Sequence, residues 1–171
     1  GKPLKLLFHG APSIGKSSLM QHAVSILGAD KWTTHKLNGT QCKVDVLDGL
    51  AFEFRQTNLF GGYRVLWIEE VDTVPSVAQI RLLTILDDLP KDTAVICTTN
   101  KKPEHLEERY QTRFHVIDLQ PPTADQIHQL LKRWPIDDQE ARNIAEFACG
   151  NVRQALLDAD IPSLQFQQQA A

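Results

Sequence analysis

The chain is 171 residues long, 42% hydrophobic and 23% charged, enough for one α/β domain with a substantial core and a small appendage. A formal net charge of −3 excludes a general attraction to nucleic acid or anionic membrane, so any DNA contact has to come from a local patch or a larger assembly. No run approaches the roughly 18 apolar residues needed to span a bilayer, and the N-terminus lacks a signal-peptide pattern, so a cytoplasmic protein without membrane attachment is expected.

In chain order, the apolar run Leu4-Lys5-Leu6-Leu7-Phe8 predicts a buried strand. Gly10-Ala11-Pro12-Ser13-Ile14-Gly15-Lys16-Ser17 follows it and fits G-x-x-x-x-G-K-[ST]. Leu19, Met20, Ala23, Val24 and Leu27 then recur at helical spacing over 16–27, ended by Gly28. Strand, loop and helix in this order are what a phosphate-binding loop requires. Gly10 and Gly15 let the backbone curl so that successive N–H groups face phosphate oxygens. The helix N-terminus aims its unpaired N–H groups and positive dipole end at the same anion. Lys16 reaches the β- and γ-phosphates, the Ser17 hydroxyl can ligate Mg²⁺, and Ser18 completes the binding stretch.

Residues 33–37 predict a second strand, ending at the turn-prone Asn38-Gly39, and Val44, Leu47, Leu50, Ala51 and Phe54 a helix over 44–54. After Gly61-Gly62, the run Val65-Leu66-Trp67-Ile68 reads as a strand covered on both faces. Over 76–88 a helix is predicted with Val77, Ile80, Leu83 and Leu86 on its buried face. Residues 94–97 and 116–119 supply two further strands. Strands alternating with helices argue for a doubly wound, parallel, five-stranded sheet in an α/β fold. The pattern changes at Gln120-Pro121-Pro122, which divides a nucleotide-binding core, 1–120, from a three-helix lid, 121–171. A capping box at Thr123–Gln126 opens the first lid helix, lined by Ile127, Leu130, Leu131 and Trp134. The second carries Ala141, Ile144, Ala145 and Ala148 and ends at Gly150; Val152, Ala155, Leu156 and Ala159 make the third. About 50 residues of helix hardly sustain a core alone, so the lid is expected to pack on the rest. Residues Gln167–Ala171 read as a frayed tail. Cys42, Cys97 and Cys149 are expected to be small buried thiols of a reducing compartment, and the six histidines show no ligand spacing.

The strand over 65–68 ends in Glu69-Glu70, two carboxylates at the edge where open α/β sheets bind ligands. One can hold Mg²⁺ through water and the next can activate an attacking water. The strand over 94–97 runs into Thr98-Thr99-Asn100, whose amide can hydrogen-bond the γ-phosphate or that water. Asn100-Lys101-Lys102-Pro103 resembles the GTPase motif N-K-x-D, but proline stands where the guanine-selecting carboxylate belongs, so ATP is preferred.

Together with Arg109-Tyr110-Gln111-Thr112-Arg113-Phe114 and Gly150-Asn151-Val152-Arg153, these motifs fall in the order of an AAA+ ATPase. More narrowly, the chain resembles the clamp-loader branch, that of replication factor C and the gamma and delta-prime subunits of DNA polymerase III. Ala78-Gln79-Ile80-Arg81-Leu82-Leu83 is similar to the branch's A-Q-x-A-L-R helix, and Gln111-Thr112-Arg113-Phe114 to its S-R-C or S-R-F turn. Gly150-Asn151-Val152-Arg153 is similar to its G-D/N-x-R start of the last lid helix, and Leu37-Asn38-Gly39 stands where the branch often has Leu-Asn-Ala. The resemblance implies Lys16 and Ser17 on phosphate and Mg²⁺, Glu69 at the Mg²⁺-associated acid and Glu70 at the water-polarising one. It further implies Asn100 as first sensor and Arg153 as second sensor. Arg113, with Arg109 as alternative, becomes the arginine finger that completes the site of another AAA+ subunit. A guanidinium, always charged and a fixed donor fork, suits that task.

Three departures bear on activity. Glu69 replaces the family's Asp and is one methylene longer, so binding is expected to survive and hydrolysis to be slow. The segment that helps enclose adenine in relatives precedes the first strand and is not in this sequence, so modest nucleotide affinity is expected. No collar domain follows the lid, which suits an excised module or weak assembly. The expected function is an ATP-hydrolysing, oligomeric loader or remodeller acting on a DNA-processing protein, and possibly DNA, in replication or repair. The alternatives are an ATP-binding switch or scaffold with little turnover, and a small-molecule kinase.

Overall fold

The structure, a computed structural model, describes residues 2–56, 61–102 and 108–161. Five strands, β1 (Leu4–Gly10), β2 (Thr34–Asn38), β3 (Arg64–Glu69), β4 (Thr93–Thr99) and β5 (His115–Leu119), form one sheet in the order β2-β3-β4-β1-β5. Every pairing is parallel. The helices between them are α1 (Lys16–Ile26), α2 (Val44–Arg55), α3 (Ser76–Asp87) and the short α4 (Glu108–Gln111). Three more follow the sheet: α5 (Ala124–Leu131), α6 (Asp138–Phe147) and α7 (Val152–Asp158). The doubly wound parallel α/β architecture expected from the alternating pattern is therefore the one observed. No helix of the described residues is long and apolar enough to cross a membrane.

Strand alternation sorts the core into two layers. Leu66, Ile68, Val95 and Cys97 face α2 and α3, meeting Leu47, Phe54, Leu82 and Leu86. Their neighbours Val65, Trp67, Ala94 and Ile96 face the opposite way and pack with Met20, Ala23 and Val24 of α1. Burial on both faces is why these strands read as unbroken apolar runs. A third cluster, Ile127, Leu131, Ala141, Ala145, Ala155 and Leu156, lies within α5–α7. Trp134 packs against it from the turn after α5 rather than from the helix itself.

Two expectations are corrected. In α3 the buried residues are Ala78, Leu82, Leu83, Ile85 and Leu86, whereas Val77 and Ile80 are 72% and 62% exposed. This helix carries apolar residues on nearly every side, so periodicity does not set its rotation. Cys42 and Cys97 are buried, but Cys149 is exposed. It follows α6 in a left-handed conformation, φ 47°, that turns its side chain outward. The tail Gln167–Ala171 and Pro103 lie outside the described residues.

The connection from β1 leads to β2 at one edge of the sheet, and the connection from β4 passes β1 to reach β5 at the other. A crevice forms at the carboxyl ends of the strands where the winding reverses. The strands run further into it than their apolar cores suggest: β1 ends at Gly10, β3 at Glu69 and β4 at Thr99.

Candidate active site

One cavity of about 400 Å³ opens at this crevice. Pro12, Ser13, Gly15, Lys16, Ser17 and Ser18 line it from the loop after β1 and the first turn of α1. Glu69 and Glu70 line it from the end of β3, and Thr98 and Asn100 from the end of β4. Val152, Arg153, Leu156 and Leu157 close the side formed by α7. Residues from Pro12 to Ile161 thus meet around one space large enough for a small ligand. Gly10, Ala11 and Ile14 do not line it; they form the loop's base.

The loop is shaped by its glycines and by Lys16. Gly10 has φ 154° and stands opposite Leu119 in the β1–β5 register, and a Cβ there would lie 2.6 Å from Leu119 O. Gly15, at φ 99°, is the residue immediately before α1. Lys16 folds back so that Nζ donates to Gly10 O at 2.9 Å and to Ala11 O at 2.6 Å. Burial draws the Lys16 ammonium below its ordinary pKa; Glu70 and Asp72 oppose this, and Arg153 adds to it. Arg153 of α7 thus faces the same cavity as Lys16. A direct tie runs the same way: Val152 N–H, in the first turn of α7, donates to Ser13 O at 2.9 Å. Ser13 adopts φ 63°, and the bond satisfies an N–H that a helix start leaves without an internal partner.

Glu70 occupies a left-handed conformation, φ 53° and ψ 55°, sparsely populated for a residue with a side chain. Three residues, Thr98, Thr73 and Gly39, hold it there. Its N–H donates to Thr98 Oγ1 at 3.2 Å, and its carbonyl accepts from Thr73 N–H and Thr73 Oγ1, both at 2.8 Å. The third, Gly39, approaches closely, and a Cβ there would press into Glu70 O and Thr73 Oγ1. The turn after β2 thus sits closer to Glu70 than an alanine at position 39 allows. Gly39→Ala is expected to lower stability by about 1–3 kcal/mol and to reduce hydrolysis severalfold with nucleotide affinity retained. Thermal melts and a comparison of turnover with nucleotide Kd check this; equal losses in both would make Gly39 a general packing residue.

Thr98, Thr99 and Asp72, which belong to no motif, support the site. Thr98 accepts from Glu70, as above. Thr99 Oγ1 donates to Asp72 Oδ1 at 2.7 Å, and Lys101 Nζ lies 3.8 Å from Asp72 Oδ2. These contacts tie the end of β4 to the turn carrying Glu70. A polar residue in a strand that otherwise reads apolar is the signal in the sequence.

Arg113 lies away from the cavity. Its Nε and Nη2 grip Asp87 at the end of α3, at 2.8 and 2.7 Å, and Nη1 donates to the Arg109 carbonyl at 3.1 Å. The pair raises the Arg113 pKa and holds the Asp87 carboxyl below its ordinary range. Arg109 is exposed on α4.

Comparison with known proteins agrees with this geometry. Residues 6–121 match the model of the ATPase family associated with various cellular activities (AAA). The chain belongs to the AAA family of ATPases. A curated relative, the probable replication factor C subunit 5 of Dictyostelium discoideum, is 26% identical over 163 residues, covering 88% of this chain and 47% of that protein. Among solved structures, a variant of Thermotoga maritima RuvB superposes with a TM-score of 0.77 at 20% identity, over 92% of this chain and 53% of that one. A second RuvB variant gives 0.76 at 19% identity, over 91% and 53%. The RuvB likeness establishes the AAA fold, and the chain spans about half the length of these relatives. AAA membership carries nucleotide binding and ATPase chemistry with it.

The donors around the cavity suit a Mg²⁺–nucleotide. A hydroxyl at Ser17 and carboxylates at Glu69 and Glu70 are the hard oxygen donors Mg²⁺ prefers. The loop backbone and Lys16 are the donors an oligophosphate needs, and the apolar side chains of Val152, Leu156, Leu157 and Ile161 form a wall against which a base can lie.

Proposed function

We propose that this AAA chain is an ATP-hydrolysing module of an oligomeric loader or remodeller, serving a DNA-processing protein in replication or repair. The observation that carries the reading is the convergence of the phosphate loop, Glu69-Glu70, Asn100 and Arg153 on one cavity. The replication factor C relative supports the clamp-loader direction. We divide the chain into a core, 1–120, and a lid, 121–171; the separate apolar cluster of α5–α7 supports that division. A cytoplasmic location accords with the absence of a membrane-spanning helix among the described residues.

In this reading the residues divide the work. Gly10–Ser18 hold the phosphates, with Lys16 exchanging its carbonyl partners for phosphate oxygens. Ser17 and Glu69 hold Mg²⁺, which when bound screens phosphate charge. Glu70 accepts a proton from the attacking water, and Asn100 orients that water or the γ-phosphate. Arg153 senses the γ-phosphate from the lid, and the Val152–Ser13 bond transmits lid position to the loop. Arg113 completes the site of a neighbouring AAA+ subunit. Lys36, whose Nζ lies 3.4 Å from Glu69 Oε1, favours a second reading, an ATP-binding switch with slow turnover.

Phosphate release from ATP without an added acceptor is expected, at least in single turnover with excess protein, together with growth in particle size when a non-hydrolysable ATP analogue is added. Release that depends on an acceptor would make the protein a kinase. Binding with no single-turnover release favours the switch.

A further inference from the structure

We propose that Lys36 is a positioning residue that holds Glu69 partly away from the nucleotide-bound divalent cation and so weakens cation affinity. The inference rests on the reading that Glu69 faces that cation. In the β2–β3 register Lys36 stands opposite Trp67 and Asn38 opposite Glu69. Residues two apart share a face of the sheet, so Lys36, Trp67 and Glu69 lie together on the side covered by α1. The Lys36 ammonium sits 4.5 Å from the centroid of the Trp67 ring and 3.4 Å from Glu69 Oε1. Trp67 is buried and fixed, so ring and carboxylate hold one ammonium between them.

Glu69 is also a cavity-lining residue, so the same carboxylate serves two cations. The additional methylene of glutamate over aspartate lets it reach an ammonium on the neighbouring strand. While Lys36 neutralises part of its charge, less attraction is left for a divalent ion. The Lys36 side chain is 55% exposed and that of Glu69 26%, so the effect belongs to a partly solvated pair and is modest and salt-sensitive.

The test measures binding of a fluorescent, non-hydrolysable ATP analogue to the full chain in saturating Mn²⁺ and in EDTA. The ratio of the two affinities isolates the cation's contribution, and any direct attraction of Lys36 for phosphate cancels between the arms. Lys36→Met keeps the aliphatic stem over Trp67 and removes the charge. It is expected to raise the ratio about two- to fivefold, with the gain shrinking at high salt. Lys36→Arg, which keeps charge and ring contact, is expected to hold the parent ratio. An unchanged or lower ratio in Lys36→Met overturns the proposal, because Lys36 then either ignores the cation or orients Glu69 toward it. If the parent binds no analogue under either condition, the nucleotide reading of the site fails, and the proposal falls with it.

Discussion

Glu70→Gln is expected to bind ATP as well as the parent and to hydrolyse it at least a hundredfold more slowly. Glutamine matches glutamate in size, and the contacts that fix Glu70 all involve its backbone: Thr98 Oγ1 on the N–H, Thr73 on the carbonyl. The strained turn therefore survives, and only the basic oxygen is lost. Proton removal by a positioned carboxylate contributes roughly 10²–10⁴ in rate, which sets the size of the loss. Binding is expected to hold or tighten, because Glu70 places a negative charge near the phosphates while Lys16 loses only one of the groups that favour its charged form. Single-turnover release with excess protein measures the rate and analogue titration the affinity. A variant retaining more than a tenth of the parent rate would remove Glu70 from the chemistry.

How much of this site was legible in the sequence depends on the kind of interaction involved. The phosphate loop is local, so Gly10, Gly15 and Lys16 could be placed by spacing alone. The strands could be read because burial on both faces leaves continuous apolar runs, as at Val65–Ile68. Rotation of α3 could not be read, since Val77 and Ile80 are as apolar as the residues that are buried. The contacts of Glu70 were equally hidden. Thr98 lies 28 residues from Glu70 in sequence, and only the adjacency of β3 and β4 brings them together. The same holds for Lys36 and Glu69, which belong to neighbouring strands separated by α2.

Glu69 changes meaning once these contacts are known. From the sequence it is a longer side chain in place of aspartate, and slow hydrolysis follows from misfit at the metal. In the structure it has a partner that aspartate, being shorter, reaches less readily. On the proposed roles, Glu69 and Lys36 form one device that adjusts turnover through cation affinity, while Glu70, the proposed base, keeps its own backbone supports. A slow enzyme built this way speeds up when the lysine is neutralised; one limited by metal misfit alone does not.

Arg113→Ala is expected to leave ATP binding intact and to lower hydrolysis by about a thousandfold, the scale on which an arginine supplied across an interface acts. Two readings of Arg113 compete. It grips Asp87 through two parallel bonds and ties the turn after α4 to the end of α3, so it can be a structural pair. Solvent screens a pair this exposed, so its loss alone shifts melting by a few degrees at most without touching turnover. It also lies outside the cavity of its own chain, so any catalytic effect has to be exerted on another subunit. Mixing separates the readings. Arg113→Ala retains Glu70, and Glu70→Gln retains Arg113, so a mixture of the two inactive variants rebuilds some intact interfaces and regains hydrolysis. Asp87→Asn, which releases the guanidinium, is expected to keep parental turnover or exceed it. Persistence of wild-type hydrolysis in Arg113→Ala, with only a small fall in melting temperature, assigns the arginine to the Asp87 pair alone and moves the search for the finger to Arg109.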